Sequence, residues 1–184
     1  MAFGDCQPQE KAAAADSGDG FAGHDDRIAR DRHAEHYAGY RREYGAFLAL
    51  LPRKLGGRTL RHVVEVRHDS FRTQAFVALL REFAIPVVYA DHATYPAIAD
   101  VTADFVYARL QTGKDTVKTA YPPKALDAWA GRFRLWAEGG EPDDLPRVDT
   151  APAKKQPRDV FAYVIHEGKI RAPACAMELI ARVR

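Results

Sequence analysis

HVVEVRHDSFRTQAFVALLREFAIPVVYAD, residues 62–91, reads as strand, helix, strand. Its two ends, HVVEVR at 62–67 and PVVYA at 86–90, are short runs rich in β-branched side chains. Between them Phe76, Leu79, Leu80 and Phe83 recur on one helical face, and Asp69 or Ser70 is placed to cap that helix. A connection of this length cannot close a hairpin, so the two runs are expected to lie parallel, joined by a crossover.

The same alternation continues toward the C-terminus. FVYARL at 105–110 and VFAYVI at 160–165 are two more β-runs. The 92–104 connection, HATYPAIADVTAD, has room for one helical turn at most. Leu126, Trp129, Ala130, Phe133 and Trp136 form a helical stripe, opened by Pro122-Pro123 and stopped by Gly139-Gly140. The two tryptophans read as core residues. EPDDLPRVDTAPAKKQPRD, residues 141–159, reads as an exposed loop, and RAPACAMELIARVR closes the chain as an amphipathic helix. On the N-terminal side, Tyr37, Tyr40, Tyr44, Phe47, Leu48 and Leu51 step by three and four along a helix expected to run to about Leu55, punctuated by Pro52 and Gly56-Gly57. Residues 1–34 are rich in Ala, Gly and Asp with few large apolar side chains, and are expected to be largely disordered.

Four parallel β-runs in crossover units fit either half of a (β/α)8 barrel or a small doubly wound sheet. No G-x-G-x-x-G or G-x-x-x-x-G-K follows any run, which weighs against a nucleotide-binding open sheet. The 184 residues are enough for one domain with a real core, and the formal net charge of +2 is too small to argue for nucleic acid or an anionic membrane. No apolar run is long enough for a membrane span. Cys6 and Cys175 stand far apart and make neither a disulfide framework nor a zinc knuckle, so a reducing, cytoplasmic setting is expected.

Candidate chemistry gathers where the β-runs end. Glu65 and Arg67 are two apart and share one strand face, as do Tyr107 and Arg109; the second run ends in Asp91-His92 and the fourth in His166-Glu167. A strand covered on both sides reads as wholly apolar, so charges on one face call for a polar interior or a site. In parallel α/β folds sites form at the C-terminal ends of strands. Glu65 would serve as general base or metal ligand, Arg67 and Arg109 as clamps for an anionic group, and His68 or His166 as acid or base. The competing structural reading makes Glu65 an internal ion-pair partner of Arg109 or Arg67, and leaves His68, Asp91 and His92 as caps or loop hydrogen-bonders. Glu65, His68, Asp91 and His166 are also of the ligand types that suit zinc or manganese, although they lack a tight local spacing.

From about residue 46 onward, AFLALLPRKL, RHVVEVRHDSF, PVVYADHATYP, TADFVYARLQ, YPPKALDAWAGRFRLWA and DVFAYVIHEGKIRAPACAMELI resemble, in order and spacing, the C-terminal half of the YecE-like proteins, also called domain of unknown function 72. The segments E-x-R-H-x-S-F and A-D-F-V-Y-x-R-L are the most distinctive. The resemblance implies a (β/α)8-type barrel of cytoplasmic bacterial origin, with Glu65, Arg67, His68, Asp91, Tyr107 and Arg109 facing the barrel mouth. It implies no reaction; a likeness to sugar-isomerase or endonuclease barrels is analogy at the level of fold. Whole members open with a Gly-Trp strand, an Asn-x-Ser-Phe-Tyr segment and a Lys-Ala-Pro-like strand, none of which occurs in residues 1–45. The expectation is therefore an unrelated segment over 1–45 and a truncated, C-terminal half barrel over 46–184. Such a chain is expected to act, if at all, as an enzyme on a small anionic or sugar-like substrate. An endonuclease-like nucleic-acid-processing barrel or an inactive fragment is the alternative, and self-association through open sheet edges is a further expectation.

Overall fold

Three of the four β-runs form one parallel sheet, and the fourth touches its edge. The computed structural model describes residues 42–165 and 170–184, all within one compact unit, His36–Arg184. The expected disorder of 1–34, Tyr37 and Tyr40 of the first helical stripe, and His166 lie outside the described residues. The first element among the described residues is helix α1, residues 42–50, and then Lys54–Leu55 (β1) pairs antiparallel with Arg58–Thr59 (β2). This small hairpin corrects the expectation of a helix reaching Leu55. Gly56 and Gly57 have φ of 55° and 78°, the left-handed pair of a tight two-residue turn, which side chains with a Cβ resist.

Helix α2 spans Gln74–Phe83 and α3 spans Pro123–Ala137; the strands are β3 (Val88–Asp91), β4 (Phe105–Leu110) and β5 (Asp159–Val164), and Ala172–Val183 is α4. The sheet order is β3-β4-β5, every pair parallel, in the order of the sequence. The 62–67 run joins β3 by a single parallel bridge, Val64 to Val87: the Val64 N–H donates to Pro86 O at 3.0 Å and Val88 N–H donates to Val64 O at 2.8 Å. Upstream of that bridge the ladder stops because Pro86 has no N–H to offer His62. The described residues form an open sheet and no closed cylinder.

Register decides the two faces. Val64 and Val66, Val87 and Tyr89, Val106, Ala108 and Leu110 lie on the helix side, in two apolar clusters. One cluster packs Trp129 and Trp136 of α3 and Leu179 of α4 against Tyr89 and Ala108; the other packs Leu48 of α1 and Phe76 and Leu80 of α2 against Val64 and Val66. Burying the two tryptophans to 4% and 1% exposure makes them core, as expected.

The opposite face carries Arg61, Glu65, Val88, Ala90, Phe105, Tyr107, Arg109, Phe161 and Tyr163. Arg61 reaches Asp159 of β5 at 2.6 Å, with its guanidinium 4.1 Å from the Phe105 ring centre and 5.1 Å from that of Phe161. In a flat sheet three strand spacings, about 14 Å, would separate those two chain positions. The sheet therefore curls, and its helix-free face is concave.

One further expectation needs correction, and another gains detail. Helix α2 is capped by Thr73, whose Oγ1 accepts the Phe76 N–H at 3.2 Å; Asp69 and Ser70 instead enter a separate 3-10 turn, Asp69–Phe71. The 141–159 connection is the largely exposed loop expected, and it is anchored at several points. Leu145 and Arg158 are buried, and the carboxylate of Asp100, 4% exposed, accepts the N–H groups of Val148 and Asp149 at 2.7 and 2.8 Å. Arg81 ion-pairs with Asp149 and donates to Val101 O at 3.3 Å, so α2 holds this segment as well. Charge-rich composition concealed it because its anchors are long-range partners. No helix among the described residues is long and apolar enough to cross a membrane.

Candidate functional site

Glu65 points onto the concave face because its neighbours Val64 and Val66 are drawn into the helix-side core, and strand parity turns the residue between them the other way. Its carboxylate is shared. Oε1 accepts from Arg67 Nε at 3.0 Å, and Oε2 accepts from Arg109 Nη1. The Arg109 contact crosses over β3, where Val88 and Ala90 lie buried beneath it at 3% and 1% exposure. A larger side chain than Ala at 90 would obstruct the crossing.

Burial would raise the Glu65 carboxyl, but the hydrogen bonds and charges of Arg109 and Arg67 outweigh it and hold the group below the ordinary glutamate value. Glu65 is thus a fixed anion and correspondingly a weak base. Both arginines keep N–H donors that Glu65 does not use, since a guanidinium carries five. The Arg67 side chain is 63% exposed and lies 4.9 Å from the Tyr95 ring centre. Tyr95 stacks on His92 with centroids 3.8 Å apart and an angle of 16°. Tyr107 stacks on Tyr163 of β5, 4.9 Å and 18°, and its phenol is raised by burial and by that neighbour.

The other candidates take different places. His68 Nδ1 accepts the Ser70 N–H at 3.2 Å and caps the 3-10 turn, so its proton sits on Nε2 when the ring is neutral. His92 Nδ1 accepts the Thr94 and Tyr95 N–H groups at 3.1 and 3.3 Å in the same manner. Both therefore fill the structural role that was the competing reading. Asp91 is level with Leu110 in the ladder and so lies on the opposite face from Arg109. Its Oδ2 accepts Thr112 Oγ1–H at 2.6 Å and Tyr121 O–H at 2.7 Å, and Tyr121 in turn accepts the Thr112 N–H at 3.0 Å. Burial, and then this bond to Asp91, push the Tyr121 phenol well up. Asp91 thus pins the 111–121 loop, and the structure does not bring it to Glu65.

The structure joins Glu65, Arg67, Arg109 and Tyr107 on one face, and His166 lies outside the described residues. Among the described residues no three His, Cys, Asp or Glu side chains gather as metal ligands. The donor set of Glu65 fits guanidinium groups and gives no support to zinc or manganese there. Sequence reasoning missed Tyr95, Tyr163, Arg61 and Phe161. Parity along DVFAYV could have found Phe161 and Tyr163, because alternate residues of a strand share a face; Tyr95 sits in an irregular loop and left no periodic trace. A cavity of about 580 Å³ lies at the other, N-terminal end of the strands, between Leu48, Arg53, Phe83 and Asp104. Arg61 lines it, together with Phe105 and Asp159, but none of the sequence-predicted candidates does.

No curated protein and no solved structure matches the chain. Residues 35–184 match the family described as Protein of unknown function DUF72, which covers more than half of the sequence. The chain that carries the paired guanidinium groups on its curled sheet therefore belongs to the DUF72 family.

Proposed function

We propose that this chain supplies about half of a (β/α)8-type barrel, its C-terminal half, and that the barrel is an enzyme taking a small anionic or sugar-like substrate at the C-terminal ends of the strands. One observation carries the reading: a single carboxylate, Glu65, orients two guanidinium groups, Arg67 and Arg109, at that end of the concave face. The unused N–H donors of the two arginines suit a phosphate or carboxylate, and the Tyr107 hydroxyl suits a neighbouring sugar hydroxyl. Glu65, held ionised, orients rather than takes protons. Proton transfer falls to His68 through Nε2, or to His166. Asp91 contributes by holding the 111–121 loop. Pairing through the open sheet edges supplies the rest of the wall, and a cytoplasmic setting fits two cysteines without a partner in sequence.

Calorimetric titration with inorganic phosphate, a small sugar phosphate and the same sugar without its phosphate tests this. The phosphorylated ligands are expected to bind, with Arg109→Gln and Arg67→Gln each weakening them about ten-fold or more, the effect of losing a charge-assisted hydrogen bond. Equal binding by the arginine variants would remove the reading.

An endonuclease-like alternative gains from one observation. The sequence has no basic stripe interleaved with aromatics, but the concave face assembles Phe105, Tyr107, Phe161 and Tyr163 with Arg61, Arg67 and Arg109 from separate segments. Arg61 and Arg109 are already matched by Asp159 and Glu65, which lowers the charge left for a phosphate backbone. Oligonucleotide binding that falls steeply with salt would favour this alternative over the first.

A further inference from the structure

Among the described residues the outermost β-runs each have a partner on one side only, and in matching ways. The 61–67 run has, among the described residues, a partner only on its β3 side: the N–H and C=O of Val64 turn toward β3, so those of Val63 and Glu65 turn the other way. At the other end Ile165 donates to Leu110 O, which directs the alternate N–H groups of Phe161 and Tyr163 toward β4 and those of Val160, Ala162 and Val164 outward. The apolar surface follows the same division. Among the described residues ten large hydrophobic side chains are exposed; three lie at or before residue 55 and six lie beyond residue 160, with only Leu135 between. Phe47 and Leu50, 52% and 82% exposed, belong to α1, whose Leu48 packs in one cluster with Val64 and Val66, and Met177 and Ile180, 71% and 49% exposed, belong to α4, which contacts β5. A groove of about 510 Å³ lined by Val160, Ala162, Leu179, Ile180 and Val183 opens on that second flank.

We infer that a second copy of this chain covers both ends at once. Four β-runs in sequential parallel order, doubled by a two-fold axis along the barrel, make eight, the number at which a parallel cylinder just fills with side chains. Rotation about that axis keeps every strand pointing the same way. The 61–67 edge of each copy then meets the β5 edge of the other, and α1 of each meets α4 of the other. Two equivalent seams leave no free edge, so the assembly stops at two. The inference rests on the half-barrel reading and completes its mouth. Tyr163 of the partner subunit would stand beside Glu65 and Arg67, so a ligand held by Arg67 would touch both copies. The Arg61–Asp159 ion pair already links the first run to β5 across the concave face, in keeping with a sheet that bends toward closure.

Sedimentation and light scattering of the full chain test it without any ligand. The expected result is one species of twice the 20.5 kDa chain mass. Ala162→Pro removes an outward N–H at the β5 edge and no bond to β4, and is expected to shift the mass to one chain while the helical circular dichroism is kept; Ala162→Val, which keeps the N–H, is expected to stay paired. A wild-type monomer, or an open-ended ladder of sizes, would overturn closure by two. Dimers that bind no phosphate would leave the assembly standing and remove the substrate reading, and monomers that bind it would do the reverse.

Discussion

Glu65 shows how one carboxylate can be both a stabilising element and the organiser of a site. Its folded acidity is lowered by Arg109 and Arg67, so the ionised form is favoured in the fold. The sign follows from linkage: stability from this group is present above the ordinary glutamate value and is lost as pH falls through the lowered folded one. Glu65→Gln removes the charge and leaves two guanidinium groups facing each other. It is expected to cost about 1–3 kcal/mol near neutral pH, the range for leaving partly buried charged groups unmatched. The gap from wild type should shrink as pH falls below the ordinary carboxylate range. Thermal melts of both proteins across that range would check it, and a gap independent of pH would assign the loss to packing instead.

At the scale of elements, α2 is defined by its two ends. Thr73 caps the start and Ala84, with φ of 52°, terminates it in the left-handed region while its N–H donates to Leu80 O and Arg81 O. A side chain with a Cβ is strained there, whereas Gly is not. Ala84→Gly is therefore expected to raise stability by about 0.5–1 kcal/mol, and Thr73→Ala to lower it by about 1 kcal/mol. Denaturant unfolding of the two variants should move the midpoint in opposite directions. These ends were the least legible part of the element. The apolar stripe Phe76, Leu79, Leu80 places the helix, because burial of one face needs only periodicity. The sequence reading put the cap at Asp69 or Ser70; the 3-10 turn held by His68 takes up both, and the cap falls to Thr73.

For the molecule as a whole, the 141–158 segment binds distant parts together. Asp100 receives two of its backbone N–H groups, Ala99 donates to Pro146 O at 2.9 Å, and Arg158 donates to Gly140 O at 3.0 Å and Lys154 O at 2.6 Å. Asp100→Ala leaves the Val148 and Asp149 N–H groups unmatched and is expected to cost about 2–4 kcal/mol, roughly two lost bonds to a charged acceptor. Hydrogen exchange should report faster exchange at those two amides ahead of any change in β4. Uniform protection would show that the segment is held by Leu145 and Arg158 without Asp100. The sheet itself was legible: β4 has the bounds that FVYARL suggests, and the parallel order follows from crossover connections. The single bridge at Val64 was not, because it depends on Pro86 in a partner strand.

By itself the sequence determined what local spacing can determine: the parallel strand and helix alternation, the two tryptophans in the core, and the shared faces of Glu65 with Arg67 and of Tyr107 with Arg109. Alternation of period two and stripes of period 3.6 are properties of neighbouring residues, and burial acts on them directly. Tertiary structure decided that Glu65, for which the sequence offered Arg109 or Arg67 as ion-pair partner, takes both, that Asp91 turns to the other face, and that the charge-rich 141–158 segment is anchored. Those outcomes rest on register and sheet curl, which are fixed by the packing of the whole core and leave no mark on spacing along the chain.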